Sequence, residues 1–352
     1  MSSDNQILNI LTSKNNNYDV KRKFHIIRDK NGIRWLIEKD TLIIKVLNEW
    51  RPYKKITFIM WKIIILLIQL RVLRFLPFSK VKDLFITRNL WFRNKYSSSF
   101  EDLSFVCYIG RKTKGQQKST IFIFDKKKKK CIFTVKKAIN QKAWPLIKNE
   151  FNILKKLEEE KNQFSPKIYS IDHENNFIVQ EYIMGEPSPI KLNFFHYELL
   201  ASLINKDKFL DLSKIKLEIE DYLFEKKKLR NLDKKVFLKK IQKALKFSIW
   251  EKEIQSVRIH GDFAPWNLKY TKEKNKIMAY DWEESIESYL PFYDLIYYKF
   301  SVKKLLNKSI NIKLDEYTSL LINNGFFLND NLIYELLSLS EILVLIKLNK
   351  DC

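Results

Sequence analysis

Residues 257–268, with the sequence V-R-I-H-G-D-F-A-P-W-N-L, constrain this chain more than any other stretch. Alternating apolar residues at its start predict a short buried strand. A polar loop follows, with Asp262 and, five positions later, Asn267. Two short runs on either side of a polar turn then predict a hairpin, and the second run ends at Asp281. The chain therefore places an acid, an amide and a second acid on loops beside short strands.

These residue types match the needs of phosphoryl transfer. One carboxylate can orient or deprotonate an attacking hydroxyl, while an amide oxygen and another carboxylate can hold magnesium against nucleotide phosphates. We therefore predict that Asp262 is the catalytic base or orienter, and that Asn267 and Asp281 are magnesium ligands. Little covalent chemistry would fall to the protein, so positioning and charge neutralisation would carry the rate.

The whole constellation is H-G-D-(x)4-N followed by a hydrophobic strand and D-W-E. It resembles the aminoglycoside phosphotransferase and choline kinase family, whose members are small-molecule kinases with a protein-kinase-like fold. The resemblance implies an α+β fold with two lobes, a small β-rich N-lobe and a mostly helical C-lobe. It also implies ATP and Mg²⁺ as cofactors, with a hydroxyl of a small molecule or sugar as acceptor. His260 is expected to brace the loop by hydrogen bonds, and Asp294 resembles the structural acid of the family.

The region upstream reads like the beginning of the small lobe of such a kinase. Period-two patterns predict strands at residues 103–109, 120–124 and 131–136, with a basic glycine loop between the first two. Backbone amides of this loop, which contains Gly110 and Gly115, can cover phosphates. The loop lacks both the Lys-Ser/Thr of a P-loop and the G-x-G-x-x-G of protein kinases.

The third strand ends with two lysines, either of which could reach the nucleotide phosphates. Lys136 is favoured over Lys137 because it shares a strand face with Thr134, as the lysine of a kinase shares one with its alanine. A helix predicted from about residue 144 to 157 carries Glu150 beside its apolar stripe. An acid in that position needs a partner, and Lys136 is the natural one.

The chain is predicted to divide into an N-terminal arm at residues 1–90, a kinase N-lobe at 91–183 and a kinase C-lobe at 184–352. In similar kinases, main-chain groups at the junction of the lobes bind the adenine edge. The residues that match this hinge are Glu181, Tyr182 and Ile183.

The arm contains the most apolar part of the sequence, residues 56–76, which predict a helix. Its length would span a bilayer, but Lys62 and Gln69 lie near the middle. A central lysine costs about 2.5–3.5 kcal/mol on insertion scales. We therefore expect a helix that docks on the kinase body or lies on a membrane surface.

Charge and cysteine content narrow the partners and the compartment. Lys and Arg number 65 against 41 Asp and Glu, and the resulting net charge of +24 favours anionic partners. No specific nucleic acid is expected, because the lysine runs do not interleave aromatics as single-strand binders do. Three cysteines without a C-x-x-C pair argue for a reducing compartment and against a zinc site. Without a signal-peptide pattern, we expect a cytoplasmic protein with peripheral contact at the inner face of the membrane.

Several functions stay open. The acceptor of the phosphotransferase is expected to be anionic or membrane-associated, such as a sugar of a cell-envelope polysaccharide. A choline/ethanolamine-type or aminoglycoside kinase is the alternative within the same class. From a different class, the runner-up is a catalytically inactive kinase-fold protein that binds membrane or nucleic acid. Protein kinase activity is disfavoured, because only twelve residues separate Asp281 from Asp294 and no Ala-Pro-Glu is present. The sequence leaves open the choice between ATP and GTP and the oligomeric state.

Overall fold

The computed structural model describes residues 19–30, 32–38, 44–49, 52–70, 72, 79–87, 100–113, 115–226 and 232–350. The chain divides into two compact units, Met1–Pro187 and Ser188–Cys352. The first is built on a β-sheet and the second mainly on helices. The predicted α+β architecture, β-rich first and helical second, is therefore confirmed.

An eight-stranded antiparallel sheet forms the centre of the N-terminal unit, in the order β3-β1-β2-β4-β5-β6-β8-β7. Its strands are β1 (Asp19–Asp29), β2 (Gly32–Glu38), β3 (Ser79–Thr87), β4 (Leu103–Ile109), β5 (Lys118–Asp125), β6 (Lys130–Ala138), β7 (Ile168–Asp172) and β8 (Phe177–Glu181). A two-residue strand, β9 (Glu186–Pro187), follows them. The helices of this unit are α1 (Ile44–Glu49), α2 (Lys55–Gln69) and α3 (Trp144–Glu159). The three strands predicted between residues 103 and 136 and the helix predicted from residue 144 are confirmed.

Strands β1 to β3 fall within residues 1–90, which the sequence suggested as a separate arm. The first two form an antiparallel hairpin, and β2 pairs with β4, where Leu36 lies opposite Cys107. Phe24 and Leu36 belong to the same buried cluster as Phe105 and Ile121. These strands therefore extend the sheet of the N-terminal unit, because they share both its hydrogen-bond ladder and its core.

A buried ion pair joins the β1–β2 hairpin to β4. Arg22 Nη1 lies 2.7 Å from Glu38 Oε1 and donates to the Leu103 carbonyl at 2.6 Å. The other oxygen of Glu38 accepts the Phe105 N–H at 2.9 Å. Burial raises the pKa of Glu38 even though Arg22 opposes the shift. A buried pair of this kind adds little net stability, because desolvation of both charges offsets their attraction.

The helix predicted over residues 56–76 is shorter in the structure, where α2 ends at Gln69. The Leu70 N–H donates to the Leu66 carbonyl and the Val72 N–H reaches back to the Leu67 carbonyl. This closing turn satisfies the last carbonyls and stops the helix. Residues 71 and 73–76 of the predicted helix lie outside the described residues. Within the parts of the chain that are described, no helix is long and apolar enough to cross a membrane.

The inner side of α2 packs against the sheet. Trp61 and Ile65 are buried in one cluster with Trp35 and Val106. The indole N–H of Trp61 donates to the Leu47 carbonyl at 2.8 Å, which also ties α2 to α1. One side of α2 is therefore docked on the sheet of the N-terminal unit.

The C-terminal unit consists of helices and two small β elements. Its helices are α4 (Phe194–Ala201), α5 (Leu212–Lys226), α6 (Leu232–Ala244), α7 (Tyr293–Leu306), α8 (Leu314–Asn323) and α9 (Asp330–Lys350). Its strands are β10 (Ile204–Phe209), β11 (Gln255–Ile259), β12 (Leu268–Thr271), β13 (Lys276–Ala279) and β14 (Ile286–Tyr289). The strand β11 lies between β10 and β14, and β12 with β13 forms the predicted hairpin. The long helix α9 packs against α6 and α7.

Candidate functional site

The loop after β11 is held by one buried carboxylate at the start of α7. Asp294 accepts the His260 N–H at 2.6 Å through Oδ2 and the Gly261 N–H at 3.0 Å through Oδ1. Burial raises the pKa of Asp294 to about 7, against the opposing effect of these two N–H groups. Asp294, which the sequence suggested as a structural acid, therefore makes two contacts that hold the loop.

His260 is buried and makes two further contacts that brace the same loop. Its Nδ1 lies 3.3 Å from the Asp262 nitrogen and accepts that N–H. The proton of the ring is then on Nε2, which donates to the Tyr280 carbonyl at 3.0 Å. The ring also lies against Trp282, with centroids 4.6 Å apart. These contacts link the loop to the end of the β12–β13 hairpin.

Gly261 occupies a position that accepts only glycine. Its φ is +83°, in the left-handed region that side chains disfavour. A Cβ built on it would lie 2.1 Å from the Glu284 carbonyl oxygen. Real Cβ atoms do not approach backbone oxygens so closely. The close approach of the loop to Glu284 therefore requires a residue without a side chain.

Asp262 is half-buried and is oriented by its neighbours. Asn267 Nδ2 donates to the Asp262 carbonyl at 2.9 Å and to its Oδ2 at 2.8 Å. The Tyr297 hydroxyl also hydrogen-bonds the carboxylate. Burial raises the pKa of Asp262 to about 6, the charge of Lys347 opposes this shift, and Glu284 adds to it. The carboxyl is thus poised near neutral pH, which is the range that suits a general base.

The hairpin brings Asn267 and Asp281 to the same end of β12 and β13. Leu268 pairs with Ala279, and the Tyr280 N–H donates to the Asn267 carbonyl at 3.0 Å. Asp281 has φ 71° and ψ 55°, a left-handed conformation that is uncommon outside glycine and is enriched at functional sites. Both donated bonds of Asn267 use Nδ2, which leaves its amide oxygen as the possible cation ligand. An amide oxygen and a carboxylate are hard donors and fit Mg²⁺.

The sequence did not indicate two side chains that lie beside this loop, Lys347 and Tyr297. Lys347 on α9 donates to the Gly261 carbonyl at 2.6 Å and forms an ion pair with Glu284. Contacts between residues so far apart leave no local pattern. One signal was present, since Lys347 interrupts the strongly apolar end of the last helix.

Lys136 and Glu150 form the expected ion pair in the N-terminal unit. Lys136 Nζ lies 2.7 Å from Glu150 Oε1 and 2.8 Å from Oε2, and both side chains are buried. Lys137 is half-buried on the opposite face of β6, where burial lowers the pKa of its ammonium group and Asp172 and Cys107 are nearby. The choice of Lys136 over Lys137 therefore matches the observed contact.

The residues predicted to form the glycine loop and the hinge also lie in this unit. The Gly110 N–H donates to the Lys118 carbonyl at 2.9 Å, and Gly115 has φ +78°. Glu181 ends β8 and pairs through its N–H with the Lys167 carbonyl at 2.8 Å. The next two residues, Tyr182 and Ile183, are buried.

Gly261→Ala and Gly325→Ala form a matched pair of substitutions. Both glycines have positive φ, +83° and +92°, so both alanines should incur the left-handed cost of about 1–2 kcal/mol. A Cβ at Gly325 would have no atom within 4 Å of it, whereas one at Gly261 would meet the backbone of Glu284. We expect Gly261→Ala to lower the free energy of unfolding by a further ~1–3 kcal/mol. Urea denaturation measures the difference, and equal losses would show that the loop can move away from Glu284.

Comparison with known proteins adds a fold similarity. Neither a protein-family model nor a curated protein sequence matches the chain. Among solved structures, it is similar to a "putative aminoglycoside phosphotransferase" from Ralstonia eutropha. The TM-score is 0.50 and the identity 12%, over 72% of this chain and 84% of that chain.

Two further solved structures align less closely. A choline kinase from Streptococcus pneumoniae has 15% identity and a TM-score of 0.37, over 64% of this chain and 89% of that chain. An ethanolamine kinase from Plasmodium vivax has 16% identity and a TM-score of 0.44, over 69% of this chain and 72% of that chain. The similarity to the Ralstonia eutropha structure shows that the chain has the kinase-like fold of the aminoglycoside phosphotransferases, as its sequence predicted.

Proposed function

We propose that the chain is an ATP- and Mg²⁺-dependent phosphotransferase whose acceptor is a hydroxyl of a small molecule or sugar. The observation that carries the proposal is the geometry of Asp262. Its carboxylate is oriented by Asn267 and lies on a loop that Asp294 and His260 hold rigid. The kinase-like fold supports the same reaction class.

In this proposal Asp262 accepts the proton of the acceptor hydroxyl as the hydroxyl oxygen attacks. ATP, when bound, would supply its terminal phosphoryl group and leave as ADP, and Mg²⁺, when bound, would offset the charge of the phosphates. Asn267 and Asp281 would hold the metal through oxygen atoms. Rigid placement of Asp262 matters because a base must lie within hydrogen-bond reach of the proton that it takes.

We assign binding of the nucleotide to the N-terminal unit. Lys136 would bind phosphate oxygens, and Glu150 would keep its ammonium group in place. Main-chain groups near the two glycines of the β4–β5 loop would cover the phosphates, and those of the hinge would bind the adenine edge. The residues of these two segments are Gly110, Gly115, Glu181, Tyr182 and Ile183.

An inactive binding protein on the same scaffold is the alternative. A scaffold without catalysis has no need to bury Lys136 with Glu150 or to hold Asp281 in a left-handed conformation. Both features carry a free-energy cost, so their presence favours the enzyme. Magnesium-dependent turnover of ATP by the purified chain separates the two functions.

Asp262→Asn tests the catalytic assignment. Asparagine keeps the shape of the side chain but cannot accept the proton, so we expect turnover to fall by about 10²–10⁴-fold with the fold intact. The matched control is Asp221→Asn, an exposed acid on α5, which should leave turnover unchanged. Radiolabelled ATP and a panel of hydroxyl acceptors provide the assay. Near-normal turnover by Asp262→Asn would contradict the mechanism.

Lys136→Met and Lys137→Met test the nucleotide assignment with neighbouring lysines. We expect Lys136→Met to raise the KM for ATP by about 10- to 100-fold, because a charged hydrogen bond contributes about 1.5–3 kcal/mol. Lys137→Met should change the KM little. Unfolding midpoints must be compared, because Glu150 would stay buried without its cation. The reverse order of KM effects would show that the phosphate is bound on the opposite face of β6.

We also propose that α2 holds the enzyme at an anionic membrane surface, which bears on the acceptor. The outer face of α2 is defined by apolar side chains that are 45–79% exposed: Ile56, Ile59, Met60, Ile63, Leu66 and Leu70. The exposed residues Lys55 and Lys62 flank this face, and α2 contains no acid. Apolar residues beside lysines suit insertion among anionic headgroups. An acceptor in envelope polysaccharide metabolism would be reached from such a surface.

Vesicle binding tests this second proposal. We expect the chain to co-sediment with phosphatidylserine vesicles more than with phosphatidylcholine vesicles, and less at high salt. Ile63→Asp on the outer face of α2 should abolish binding. Leu217→Asp on α5, where the leucine is 57% exposed, is the control and should not. Equal sedimentation of Ile63→Asp and the unaltered chain would rule out α2 as the contact.

A further inference from the structure

Lys347 is a cation that α9 brings to the loop carrying Asp262. Its Nζ donates to the Gly261 carbonyl at 2.6 Å and pairs with the Glu284 carboxylate. It also lies 4.8 Å from the centre of the Tyr297 ring. The side chain is 23% exposed, so most of it is removed from solvent. Three different kinds of contact thus hold one ammonium group at the edge of the candidate site.

The Gly261 carbonyl belongs to the same planar peptide group as the N–H of Asp262. That N–H donates to His260 Nδ1 at 3.3 Å, so the peptide group is held at both its oxygen and its nitrogen. The two preceding N–H groups of the loop donate to Asp294. Lys347 therefore completes a run of three restrained peptide groups that ends at the Cα of Asp262.

Gly261 makes this restraint necessary. The close approach to Glu284 excludes any side chain at that position. A glycine leaves its flanking peptide groups freer to rotate than any other residue would. Rotation of the peptide group between Gly261 and Asp262 would move the Asp262 carboxylate away from Asn267 Nδ2. Lys347 opposes this rotation from the carbonyl side.

One acidic side chain, Glu284, pairs with the ammonium group, and two more, Asp262 and Asp294, are near enough to interact with its charge. Asp262, Glu284 and Asp294 all contribute negative charge there, and the charge of Lys347 lowers the pKa of Asp262 and Asp294 against the larger effect of burial. The lysine therefore also offsets repulsion within the cluster, which would otherwise push the carboxylates apart.

We propose that Lys347 is a positioning residue that holds the Asp262 peptide group in the orientation needed for phosphoryl transfer. The proposal rests on the phosphotransferase function proposed above. Lys347 acts through Gly261 and is assigned no contact with a substrate.

Three variants of the full chain test the proposal. Lys347→Met keeps the apolar stem and removes the donor and the charge, whereas Lys347→Arg keeps both. Lys304→Met is the control. Lys304 Nζ donates at 2.6 Å to the carbonyl of Leu348, the residue next to Lys347, but its side chain lies at the surface.

Hydrogen exchange gives a readout that does not depend on activity. We expect the Asp262 amide to exchange about tenfold faster or more in Lys347→Met, with near-normal exchange in Lys347→Arg and Lys304→Met. Unchanged exchange in Lys347→Met would overturn the proposal.

Turnover of Mg-ATP gives the second readout. We expect Lys347→Met to lower kcat by about 10- to 100-fold with the KM for ATP unchanged, because a misplaced base loses rate and not nucleotide affinity. Lys347→Arg should recover most of the rate. A rise in KM with unchanged kcat would overturn the positioning role. Absence of turnover in the unaltered chain would instead contradict the proposed function, and the exchange comparison would still decide whether Lys347 restrains the loop.

Discussion

Two successive backbone N–H groups bind the single carboxylate of Asp294, and the candidate site depends on this interaction. A carboxylate that accepts two backbone donors fixes both the position and the direction of the peptide groups that it binds. Here those groups are the N–H of His260 and of Gly261, which begin the loop. The bonds of His260 to the Asp262 N–H and to the Tyr280 carbonyl follow from that fixed start.

The bonds to Asp294 also explain how the loop can contain a glycine, the most flexible residue, and still be held in one conformation. Gly261 is needed because the chain passes so close to the Glu284 carbonyl that no Cβ fits. Side-chain packing normally holds a loop that lies so close to another segment, but a glycine has no side chain to pack. The structure replaces packing with hydrogen bonds on both sides: the His260 and Gly261 N–H groups donate to Asp294, and Lys347 donates to the Gly261 carbonyl. Preorganised polar groups of this kind favour catalysis because they need no reorganisation during the reaction.

Local patterns in the sequence were sufficient for much of the fold and for two contacts among the candidate site residues. The period-two strands and the helix with Glu150 beside its apolar stripe led to the Lys136–Glu150 pair, which the structure contains. The spacing of Asp262 and Asn267 likewise led to two residues that are in direct contact. Non-local contacts were not accessible in this way. The contact of Lys347 with Gly261 and the pairing of β2 with β4 depend on how distant segments meet. The end of α2 was misplaced because apolar residues continue beyond Gln69, while a closing backbone turn stops the helix.

The pairing of β2 with β4 has a consequence for how the N-terminal unit folds. Glu38 and Phe105, which join these strands, are 67 positions apart, and Arg22 and Leu103 are 81 apart. The equilibrium cost of closing so long a loop is modest, because each doubling of loop length adds only about 0.6 kcal/mol. The kinetic cost is larger, since folding slows as contacts become less local. Strands β4, β5 and β6 are joined by short connections and can pair early. We expect β1, β2 and β3 to join a sheet that has already formed, so the last strands to dock are those that come first in the chain.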